Sequence, residues 1–201
     1  MKTDVITVSS RGSRMETPLQ QAEKVAAYKG LSPRSALHLR LLTEEMMGLM
    51  RSITGETEGR FWIEDEDGVY ELHLSVQTGM NSSKRDQLLS VSSSGQNDSA
   101  RGLMGRLRDF FDRGADEDVA SFTSPLMLAS VYDNTSSPTL DWEWTMSAYQ
   151  RELGQLVSQR NPEAQEAWDE MEKSVVTHVA DDVKVSIRGR TAELILVKKM
   201  A

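Results

Sequence analysis

The chain has 201 residues, 38% of them hydrophobic and 27% charged, which is the balance of a soluble globular protein large enough for one substantial core. With no cysteine, disulfides and thiolate metal sites are excluded, and a reducing cytoplasm is the expected compartment. The net charge of −8 argues against general nucleic-acid binding, and no apolar run approaches the roughly 20 residues that span a bilayer. His38, His73 and His178 lack ligand spacing and read as surface or pairing residues.

In chain order, "DVITVSS" alternates β-branched residues and predicts a first strand over 2–9. The next segment, 15–30, reads as a helix with Leu19, Ala22 and Ala26 on one side and Gly30 as its stop. Ser32-Pro33 then supplies a cap and a first-turn proline for a second helix. On that helix Leu39, Leu42, Met46, Leu49 and Ile53 form a core stripe at steps of three and four. A second row, Leu37, Leu41, Glu44 and Gly48, runs along the other side and interrupts an apolar helix with an acid and a glycine. Met46, Met47 and Met50 read as adaptable core packing.

Asp67-Gly68 marks a two-residue hairpin between 61–66 and a strand in which Tyr70, Leu72, Leu74 and Val76 alternate with polar residues. The acidic run from Glu64 to Asp67 lacks the looped spacing of a calcium site and reads as a solvated turn. A Ser/Asn/Gly-rich stretch, 82–99, is expected to be mobile, and Leu103, Leu107, Phe110 and Phe111 then resume helical spacing. The block 114–180 is expected to be a mainly helical insertion. It holds one strand at 139–146, with Trp142 and Trp144 in the core, and helices over 147–158 and 162–178. A last hairpin joins 183–187 to 192–196. The predicted fold is α+β: a layered sandwich with helices on one face of a mostly antiparallel sheet, built from 1–113 plus 181–201.

This order of elements, with the motif "TEEMMGLM" on the second helix, resembles the GHKL (histidine-kinase-like) ATPase superfamily and its Bergerat-like fold. The nearest likeness is to the bacterial anti-sigma-factor and serine-kinase-like branch. In that family a Glu-x-x-x-Asn box precedes the first hairpin, its glutamate activating water and its asparagine holding magnesium. The resemblance puts Glu44 at the glutamate, as the one catalytic candidate, and Gly48 at the asparagine. The family's Asp-x-Gly-x-Gly motif falls on Gln77, Gly79 and Asn81, with one identity kept. Its phosphate-holding Gly-x-Gly turn falls on Ala100, Arg101 and Gly102, with the second glycine kept, and the lid on 82–99.

ATP or ADP is the ligand the resemblance implies. The magnesium ligand and adenine carboxylate are replaced, so no metal site is assigned and the expected function is a non-catalytic regulatory module derived from an anti-sigma-like ATP-binding domain. Its partner would be a protein, such as a sigma factor or another regulator, or a second copy of the chain. The alternatives are a divergent ATP-binding protein or serine kinase, and a structural or oligomerisation domain. Apart from any nucleotide, Glu44 would be exposed or paired with Arg40, and Gly48 would admit a close neighbour.

Overall fold

The computed structural model describes residues 1–9, 16–54, 58–77, 141–188 and 191–200. Their elements are β1 (Ile6–Ser9), α1 (Glu16–Tyr28), α2 (Pro33–Thr54), β2 (Glu58–Glu66), β3 (Val69–Gln77), β4 (Asp141–Thr145), α3 (Met146–Ser158), α4 (Pro162–Glu172), α5 (Val175–Val179), β5 (Asp182–Arg188) and β6 (Thr191–Lys199). The strands form one six-stranded sheet in the order β1-β2-β3-β6-β5-β4, every neighbouring pair antiparallel.

Local chemistry explains where the elements begin and end. Gly30 adopts φ +63°, while its N–H donates to Ala27 O (3.2 Å) and that of Leu31 to Ala26 O (3.0 Å). These two bonds are the left-handed helix termination that a residue without Cβ favours, and they close α1. Ser32 Oγ accepts from Ser35 N at 3.1 Å and Pro33 opens α2, as its cap and proline require. Thr145 Oγ1 caps α3 through Ala148 N, and Asn161 Oδ1 caps α4 through Ala164 N.

The helix expected over 162–178 is two helices. Ser174 is extended (φ −79°, ψ 129°), and the following Val175-Val176-Thr177 run is β-branched, a composition that favours a break.

Period-two alternation sorts the sheet into two faces. Phe61, Leu74, Leu194 and Val185 stand in one register row, and Ile63, Leu72, Leu196 and Val183 in the next; all eight are buried. Helix α2 lies over the central strands β3 and β6, α1 over β1 and β2, and α3 beside β4 and β5. Leu39, Leu42, Met46 and Leu49 of α2 join Val8, Val25, Tyr149, Leu153 and Val176 in one core. Residues 141–180, expected within the insertion, therefore share the sheet and the core with the rest. The side chains of Ile53, Trp142 and Trp144 lie outside the described residues, as do 82–99 and 101–113. Among the described residues no helix is long and apolar enough to cross a membrane.

The β2–β3 hairpin turns on two successive left-handed residues, Asp67 (φ 49°) and Gly68 (φ 80°), the backbone of a type I′ turn. A Cβ at Gly68 would also stand 2.8 Å from Met200 O, which accepts no such approach, while Met200 N donates to Gly68 O at 2.8 Å. Replacing Gly68 with Ala should therefore lower unfolding free energy by about 2 kcal/mol in a urea titration with unchanged slope.

Candidate functional site

The polar row on α2 follows directly from its phase. Residues 39, 42, 46 and 49 take the core face, so Leu37, Glu44 and Gly48 are turned outward and exposed. Glu44 is accordingly not a buried carboxylate. Arg40, one turn earlier, forms an ion pair with Glu23 of α1 instead. A Cβ built on Gly48 would meet nothing within 4 Å among the described residues, so none of these requires a glycine there.

Gln77 ends β3, is exposed, and stands opposite Thr191 of β6. The C-terminal part of α2 reaches the same end of the sheet. Position Cβ of Gly59, in register with Val76, would lie 3.2 Å from Met50 Sδ and 3.0 Å from Val76 Cγ1. Gly48, two residues before Met50, and Gln77, one after Val76, thus share one end of the layer pair. Gly79, Asn81, Arg101 and Gly102 lie outside the described residues. Of the expected constellation, the structure brings together Glu44 and Gly48 on one helix face, with Gln77 at the same end of the fold.

A second constellation, on the sheet face opposite the helices, was not singled out from the sequence. Trp62 of β2 and His73 of β3 are cross-strand partners with rings stacked 4.7 Å apart and 8° from parallel. Lys2 Nζ sits 5.1 Å from the Trp62 ring centroid and 2.8 Å from Glu64 Oε1, which also accepts from Trp62 Nε1 at 2.8 Å. His73 is buried, with its Nδ1 in hydrogen-bond distance of Glu193 Oε1 at 3.1 Å. Nε2 faces Glu71 Oε2 at 3.5 Å and Glu64 at 4.0 Å without a hydrogen bond. Lys184 Nζ holds Glu71 Oε1 at 2.9 Å. The signal was available: counting outward from the Asp67-Gly68 turn places Trp62 beside His73 and Glu64 beside Glu71.

The hydrogen bonds from Lys2 and then Trp62 hold the Glu64 carboxyl below its ordinary value, against the opposing pull of desolvation. Glu71 and Glu64, which would repel each other directly across the pair, are thus each neutralised by a lysine. Among the described residues no group of three His, Cys, Asp or Glu side chains could hold a metal ion.

No known protein family, curated protein or solved structure matches the chain.

Two measurements probe these surfaces. Because the Gly48 site is helical and open, Gly48→Ala should raise unfolding free energy by roughly 0.5–1 kcal/mol in chemical denaturation. A depressed folded-state pKa makes the Glu64 contribution fully present above its ordinary value of 4.5 and lost as pH falls through the lower folded value. Glu64→Gln should therefore flatten the acid limb of stability against pH and change Trp62 fluorescence.

Proposed function

We propose that the chain is a non-catalytic regulatory module that binds a protein partner, its fold derived from an anti-sigma-like ATP-binding domain. The observation that carries this is Gly48. In the resembled family the box needs two donors one helical turn apart, a carboxylate to handle water and an amide to hold magnesium. Here the second donor is absent, and no described residue lies within 4 Å of where its Cβ would stand.

Glu44 alone offers one carboxylate on an exposed helix face, where water competes for anything it binds. Among the described residues, Glu44, Gly48 and Gln77 offer one carboxylate, no metal-binding amide on α2 and no carboxylate for adenine, a set that does not favour a magnesium–nucleotide complex. Gln77 supports the same view. A carboxamide can accept from an adenine amino group but lacks the charge that makes a carboxylate–amine bond strong. An exposed α2 ridge carrying an acid beside a bare backbone is a shape that a protein segment can approach closely.

The runner-up, a divergent ATP-binding protein or serine kinase, retains one support: Gly48 and Gln77 lie toward the same end of the fold, with Glu44 one turn earlier on α2.

Calorimetric titration with ATP and ADP, with and without magnesium, should be silent to about millimolar concentration. Binding at a Kd of about 100 μM or tighter, roughly −5.5 kcal/mol, would overturn the non-catalytic reading. In parallel, a partner captured from a bacterial lysate should be lost on Glu44→Lys with the circular dichroism unchanged. Retention of that partner would move recognition away from α2.

A further inference from the structure

A shallow groove of about 350 Å³ runs between the C-terminal half of α1 and the first turns of α2. Its walls are the small residues Ala26, Ala27 and Ala36 with Leu31 and Leu37, and Glu23 and Arg40 stand at its edge. Small side chains let another backbone or an apolar knob come close, as larger ones would not.

The described chain exposes few large apolar side chains, and two of them, Tyr28 at 79% and Leu37 at 53%, lie at this corner on either side of the turn at 29–32. Leu37 projects beside the groove that it helps to line. The rim charges are one of each sign, both about half exposed, in an ion pair with each other. A partner of single-sign charge would satisfy one and repel the other.

We infer that this corner is a two-fold self-association surface, with a second copy of the chain as its occupant. An isologous interface must be complementary to itself, carrying hole and knob, acid and base, on one patch. This patch does: across a two-fold axis, Leu37 of each copy meets the alanine-lined groove of the other. Each Glu23 then faces an Arg40 as well as its own. Exposed pairs of this kind add little energy, so the apolar contact supplies the affinity and the charges set the orientation.

The inference does not rest on the proposed function, since the groove lies toward the start of α2 and Glu44 and Gly48 lie beyond it. Sedimentation equilibrium over a wide concentration range decides it. The chain should approach twice its monomer mass. Leu37→Glu and Ala27→Arg, both at exposed positions, should weaken the dimer at least about tenfold without altering circular dichroism.

Glu23→Arg and Arg40→Glu should each weaken it, and the two variants mixed should pair with each other, a rescue that restores no Glu23–Arg40 ion pair within either chain. A monomer at every concentration overturns the inference. So does a dimer indifferent to all of these substitutions, and so does a monomer that captures only a different protein through this groove.

Discussion

The fold hinges on the pairing of β3 with β6. Nine residue pairs, from Val69 with Lys199 to Gln77 with Thr191, join strands more than a hundred residues apart in the chain. Until that seam closes, β1-β2-β3 and β6-β5-β4 are separate three-stranded sheets with no shared core face. Closing it costs the entropy of a long loop, but that cost grows only slowly with length. Once made, the seam produces a continuous apolar face from Phe61 through Leu74 and Leu194 to Val185, and α2 lies along it.

The phase of α2 follows from that seam. Four core positions at steps of three and four are pinned to β3 and β6, so the opposite row is forced outward whatever it contains. Glu44 and Gly48 owe their exposure to this geometry. The helix tolerates a glycine there because its long buried stripe offsets the roughly 1 kcal/mol that glycine costs in mid-helix. The two sides of the helix are thus under different constraints: the core half is fixed by packing, and the outer half is free to change.

Much of this was legible in the sequence because the signals are local. Alternation found β3 and β6, Asp67-Gly68 fixed the hairpin, and Ser32-Pro33 and Gly30 bracketed the helices. Strand order was not legible, since nothing local says that β6 inserts beside β3 and places β5 and β4 outside it. The break at Ser174 escaped because the amphipathic pattern continues through it, while the extended backbone there obeys β-branching and tertiary packing with α2. The exposure of Glu44 follows from the phase of α2, but the ion pair of Arg40 with Glu23 depends on α1, which periodicity within α2 does not see. The His73 cluster is visible only through register, because Trp62, His73 and Glu193 are far apart along the chain and adjacent only across strands.

The two faces of the molecule also differ in what they leave available. On the open side of the sheet, carboxylates Glu64 and Glu71 already hold Lys2 and Lys184, and Glu193 holds the His73 ring against Trp62. A partner there would have to break pairs already made, gaining only the difference between old contacts and new. On the helix side, Gly48 meets no described neighbour, and Leu37 is exposed beside a groove of alanines with the single described Arg40–Glu23 pair at its edge. Less must be undone before contact is made. That asymmetry supports recognition through the α1–α2 layer, whether the partner is a second copy at its corner or another protein along its ridge.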